Sequence, residues 1–85
     1  MSYILVVDDE KDIRDLVGEI LVDEGHEVRL AENSEQTMNF INETPPQLLI
    51  LDIWLKDSKM DGIEILKTIK QNNPTIPVVI ISGHG

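Results

Sequence analysis

The sequence has 85 residues, with 16 acidic against seven basic side chains, a formal charge of −9, 41 % apolar residues and no cysteine. This length allows one small domain, the lack of cysteine excludes a disulfide framework, a thiolate metal site and a cysteine nucleophile, and the charge repels a phosphate backbone, so cations rather than nucleic acids are the expected ligands. Apolar runs stay far shorter than the roughly 20 residues of a membrane span, and Asp8, Asp9 and Glu10 cut off the run from Tyr3 to Val7 before it can serve as a secretory signal, so a soluble, cytoplasmic protein with no membrane contact is expected.

In chain order, Tyr3 to Val7 is β-rich and bounded by acids, predicting a strand buried on both faces. From Lys11 to Glu24, the residues Ile13, Leu16, Val17, Ile20 and Leu21 recur at spacings of three and four. That pattern predicts a helix with one apolar stripe, stopping near Gly25. His26 to Ala31 alternates weakly around Val28 and Leu30, as a strand with one partly exposed face does. Asn33 with Gln36 resembles a capping box, opening a short helix that carries Met38, Phe40 and Ile41 and ends before Pro45-Pro46. Leu48 to Leu51 predicts a third buried strand ending on Asp52, followed by a polar loop and a helix from Gly62 to Asn72 that Asn73-Pro74 breaks. Val78 to Ile81 predicts a fourth strand, ending on Ser82-Gly83-His84-Gly85. The order βαβαβαβ implies right-handed crossovers and a parallel sheet covered on both faces, an α/β fold.

In open parallel sheets, ligands bind beyond the carboxyl ends of the strands, where strand order reverses. Asp8 and Asp9 follow strand one, Asp52 follows strand three and Ser82 follows strand four. If strands one and three are neighbours, as in the flavodoxin-like order 2-1-3-4-5, these carboxylates crowd together and raise one another's pKa unless a cation or a proton neutralises them. Hard oxygen ligands with room for water suit Mg²⁺. Plainer roles compete: Asp8 or Asp9 could complement the charge at the start of the first helix, Asp52 could be a solvated turn residue, and a Ser82 hydroxyl could satisfy backbone. The convergence of three acids favours function over these. Met38 and Phe40 are expected in the core, while His26 and His84, each in a turn without a partnering motif, are expected to be structural.

Taken together, Val-Val-Asp8-Asp9-Glu10, Leu-Leu-Ile-Leu-Asp52, Met60-Asp61-Gly62 and Ile-Ile-Ser82-Gly83 resemble the signature of response-regulator receiver domains of two-component systems. The Asp-Ile-Trp segment and the Ser-Gly-His-Gly ending are similar to the nitrogen-regulation group, of NtrX and NtrC type. The resemblance implies a flavodoxin-like doubly wound parallel sheet. Residues 1–85 would be the N-terminal portion of a single receiver domain, without the fourth helix, the lysine-bearing fifth strand and the fifth helix. It implies a regulatory phosphoacceptor rather than an enzyme, in which Asp52 takes a phosphoryl group from the phosphohistidine of a sensor histidine kinase and switches a transcription-regulatory output domain. Asp9 and Asp52 would ligate Mg²⁺ directly, Asp8 through a water, and the backbone carbonyl of Trp54 would add a ligand, while Ser82 would donate its hydroxyl to a phosphoryl oxygen.

Two departures stand out: the stretch Leu55 to Lys59 lacks the proline that often follows the acceptor, and neither Lys56 nor Lys59 can replace the lysine of the fifth strand. An uncovered edge at strand four would call for further residues or a partner chain, as a homodimer or by swapping. Two other readings fit part of the pattern. A metal-dependent phosphatase with an aspartyl nucleophile would need an Asp where Trp54 stands, and a pseudo-receiver would bind partners without accepting phosphate.

Overall fold

The computed structural model describes residues 2–55 and 61–81. Ser82, Gly83, His84 and the loop residues Lys56, Lys59 and Met60 lie outside the described residues. Four strands, β1 (Ile4–Val7), β2 (Val28–Ala31), β3 (Leu48–Asp52) and β4 (Val78–Ile81), alternate with α1 (Lys11–Asp23), α2 (Ser34–Glu43) and α3 (Gly62–Asn72). All pairings are parallel and the order is β2-β1-β3-β4. This is the flavodoxin-like arrangement expected from the sequence, with the strand order reversing between β1 and β3.

The continuous apolar runs become the centre of the sheet because parallel strands with crossover helices are buried on both faces. Leu5, Val6, Val7, Leu49 and Leu51 are fully buried, joined from α3 by Ile65 and Ile69. Each such side chain contributes about 1.5–3 kcal/mol relative to exposure. At the amino ends of the strands, the buried Tyr3 donates its hydroxyl to the carbonyls of Phe40 (3.2 Å) and Thr44 (2.5 Å). The Arg29 guanidinium sits 4.4 Å over the Tyr3 ring, so this end is closed by satisfied polar contacts around an aromatic.

Helix ends follow their local chemistry. Beyond α1, Gly25 takes φ +93°, its N–H bonds the Val22 carbonyl at 2.9 Å, and that of His26 bonds the Leu21 carbonyl at 3.1 Å. This Schellman motif needs a residue free to turn left-handed. It occupies the residues the sequence pattern assigned to the start of the second strand, which is why β2 begins at Val28 and leaves His26 exposed in the turn. Asn33 caps α2 by accepting from the Gln36 N–H (2.9 Å), and Gln36 reaches back to the Glu32 N–H (3.0 Å), one residue earlier than in the usual reciprocal box.

The predicted single stripe of α1 is split. Gly18 is buried against β2, where an added Cβ would stand 3.1 Å from Leu30 Cδ2, and Val17 and Leu21 are half-buried. Ile13, Leu16 and Ile20 are exposed, as are Val79 and Ile80 on β4, the last strand in the order. A helix lying on a sheet brings only part of its circumference within contact, and among the described residues nothing covers the other flank of α1. Phe40 is half-buried and packs on the core, and Met38 is half-buried. No helix among the described residues is long and apolar enough to cross a membrane.

Candidate metal centre

Val7 on β1 pairs with Leu51 on β3, so the next residues, Asp8 and Asp52, stand at the same level at the carboxyl edge of two adjacent strands. Asp9 follows in the loop leading to α1. Asp8, Asp9 and Asp52 can each offer a carboxylate oxygen such that the three oxygens lie within 4.8 Å of one another. Asp8 and Asp52 are buried and Asp9 is half-buried.

The two buried acids are aimed by the same local device. Asp8 Oδ1 accepts from the Glu10 N–H at 2.8 Å, and Asp52 Oδ1 accepts from the Trp54 N–H at 3.0 Å. Each is an Asx turn, in which the side chain bonds the backbone two residues on and so fixes its own rotamer. Asp8 is thus bound to the entry of the helix without acting as a cap on its first turn. Burial pushes the Asp8 carboxyl above the usual aspartate range; the Glu10 N–H draws it back down, while the charges of Asp52, Asp9 and Glu10 push it up.

The cluster fits a small hard cation on its donor chemistry: three oxygens, no softer ligand among them, spaced so that one ion can touch all three. Trp54 is exposed, and its backbone is held directly beside the cluster by the bond from its N–H to Asp52. Ser82 lies outside the described residues, but Asp52 pairs with Ile81 on β4, so the chain leaves β4 beside the acid edge.

Three further residues contribute: Asp61 and Gly62 were read only as part of the Met60-Asp61-Gly62 motif, and Arg14 was not singled out. Asp61 is the N-cap of α3, accepting from the Glu64 N–H at 2.9 Å, and the Asp-x-x-Glu spacing could have signalled it. Gly62 presses on the end of β3: a Cβ there would overlap the Ile53 Cα and the Asp52 carbonyl oxygen, so this helix start can approach the site only without a side chain. Arg14 donates to the Asp8 carbonyl at 2.8 Å, a contact with no signal in the sequence. A concavity of about 380 Å³ between α1 and β2 is lined by Gly18, Val22, Val28 and Leu30 with the acids Asp15, Glu19 and Asp23. It includes none of the three clustered carboxylates, and the convergence of those acids is the stronger guide to chemistry.

The chain is similar to known proteins in sequence and in fold. Residues 4–85 match the family described as the response regulator receiver domain. The nitrogen assimilation regulatory protein NtrX of Azorhizobium caulinodans is 50 % identical over 82 residues, covering 96 % of this chain and 18 % of that protein. An NtrX-like response regulator of Rickettsia bellii is 51 % identical over 82 residues, covering 96 % of this chain and 17 % of the relative. The chain therefore spans less than a fifth of the length of these curated relatives. The crystal structure of the receiver domain of NtrX from Brucella abortus superposes with a TM-score of 0.93 at 56 % identity, covering 96 % of this chain and 68 % of that one.

Proposed function

Since the chain belongs to the response regulator receiver domain family, we propose that it is a phosphoacceptor switch in which Asp52 receives a phosphoryl group from the phosphohistidine of a sensor histidine kinase. The observation that carries this reading is the convergence of Asp8, Asp9 and Asp52 within 4.8 Å at the strand-order reversal. A buried carboxylate already oriented through one oxygen is suited to in-line attack. An Asp52 oxygen forms the new bond to phosphorus, the bond from phosphorus to the imidazole nitrogen breaks, and the imidazole leaves with the electron pair. Asp9 and Asp52 would hold Mg²⁺ directly, Asp8 through a water, and the Trp54 carbonyl would complete the protein's share. The ion supplies charge neutralisation for the transferring group. Ser82 would donate its hydroxyl to a phosphoryl oxygen, reporting the modification to the loop after β4.

On this reading the chain is regulatory, cytoplasmic and the N-terminal portion of a single receiver domain, and the longer protein would carry a transcription-regulatory output in nitrogen control. The relatives' names and lengths support that assignment. The exposed Val79 and Ile80 support covering of the β4 edge by further chain or by a second copy, as a homodimer or by exchange.

The test is phosphoryl transfer from a phosphorylated histidine kinase to the full-length protein with and without Mg²⁺, beside Mg²⁺ and beryllofluoride titrations followed by Trp54 fluorescence. Label should enter the wild type only with Mg²⁺ and should be lost in Asp52→Asn. Equal labelling of Asp52→Asn would sink the phosphoacceptor assignment. A wild type that binds Mg²⁺ but takes no label would leave a partner-binding module instead.

A further inference from the structure

The three acids stand on different parts of the backbone. Asp52 belongs to β3, and Asp8 is tied to β2 through its N–H to the Ala31 carbonyl at 3.1 Å, whereas Asp9 lies in a loop beyond both strands. The carbonyls on either side of it are gripped by one residue of α1. The Arg14 N–H donates to the Glu10 carbonyl at 3.0 Å, and the Arg14 Nη1 donates to the Asp8 carbonyl at 2.8 Å. Arginines on helix surfaces are ordinarily solvated, yet this side chain is only 13 % exposed. Its Nη2 also faces Glu32 Oε2 at 4.0 Å, and Glu32 is held in turn by Gln36 Nε2 at 3.3 Å. The loop after β1 is therefore linked through Arg14 to the loop after β2 and the start of α2.

We propose that Arg14 is the positioning residue for Asp9, fixing the loop from Asp8 to Glu10 so that the Asp9 carboxylate meets a divalent cation shared with Asp52. This rests on the acid cluster being a metal centre. Arginine suits the role because its planar fork can hold a carbonyl with one nitrogen and face a carboxylate with the other, which an ammonium on a flexible stem does not reproduce.

Two effects of Arg14 on a bound cation oppose each other. Its positive charge repels the ion, but through partly solvated surroundings that is worth only about a few-fold in affinity. Supporting contacts that orient metal ligands are typically worth about 10- to 100-fold. Positioning should therefore win, and the sign of the mutational effect separates the two.

The experiment is titration of the full-length protein with Mg²⁺ alone, by calorimetry, for wild type, Arg14→Met and Arg14→Lys, with thermal midpoints and amide hydrogen exchange at Asp9 and Glu10. Arg14→Met should weaken Mg²⁺ roughly tenfold or more, with Arg14→Lys between it and wild type and with faster exchange at both amides. Unchanged or tighter binding by Arg14→Met would overturn the proposal. Should Arg14→Met fail to fold, Arg14→Lys decides: weaker binding supports positioning and wild-type binding overturns it. A wild type that binds no Mg²⁺ would sink the metal centre itself. Exchange at Asp9 that ignores Arg14→Met would sink only the positioning role.

Discussion

The two ends of the sheet are built on opposite terms. At the amino ends, Tyr3 is buried with its hydroxyl donated to two carbonyls and a guanidinium over its ring, so these contacts reduce the cost of its burial. At the carboxyl ends, the same strands deliver three carboxylates to one place, two of them buried, and burial works against the charge on Asp8. One end holds the fold together, and the other uses part of that stability to keep an anionic site formed. Polar substitutions at the two ends should consequently have opposite signs.

The largest effect should come from Gly62→Ala, which forces a methyl into the Ile53 and Asp52 backbone and should cost roughly 3 kcal/mol, read by urea unfolding. A cost below about 0.5 kcal/mol, the size of an ordinary surface change, would mean that the acid end is loosely packed and that the contrast is one of packing rather than charge. Next is Tyr3→Phe, which keeps the ring but strips the donor from the Phe40 and Thr44 carbonyls and should cost about 1–3 kcal/mol. Asp52→Asn should do the reverse, stabilising the metal-free protein by about 1 kcal/mol through relief of like-charge crowding, with Mg²⁺ cancelling the advantage by binding the wild type more tightly. Loss of stability in Asp52→Asn without metal would break the comparison.

The smallest effect is on pH. Because the Asp8 carboxyl is held above its ordinary value of 3.8, the native state binds more protons than the unfolded chain between that value and the raised one. Asp8's unfavourable contribution is complete above that window and is relieved as pH falls through it. In chelator, unfolding midpoints of the wild type should therefore gain relative to Asp8→Asn on acidification. With Mg²⁺ the trend should invert, since protons then compete with the ion for the carboxylate. Parallel pH curves for the two proteins in chelator would remove Asp8 as the cause.

The fold was largely legible because uninterrupted apolar runs of strand length separated by helical periodicity leave few arrangements. The limits of α3 and β4 match the sequence pattern, and the meeting of Asp8, Asp9 and Asp52 followed from which strand each acid ends. What was not legible depends on contacts without a periodic signature. The Schellman turn at Gly25 shortened β2, and periodicity could not say which part of the α1 stripe, Val17 with Leu21 or Ile13 with Ile20, would face the sheet. Arg14 escaped because a guanidinium bonding a main-chain carbonyl leaves no mark in composition or spacing. Gly62 was read as part of a motif, and its physical reason, contact with the β3 backbone, appears only in three dimensions.

The parallel order of β1 and β3 also bears on synthesis of the chain. Asp8 and Asp9 emerge first and Asp52 only after two helices and two strands have been made, and the strand that aligns them with Asp52 is the one that ends on it. A nascent chain short of Asp52 therefore has no three-acid centre, and a divalent cation cannot template the first half of the fold in the way a structural zinc templates a finger. The stabilising effect of a cation held there would fall on the finished sheet alone and would grow with the logarithm of its concentration over the dissociation constant. The cation would thus act as a late selector of completed molecules, drawing the population toward chains in which the third strand has already docked.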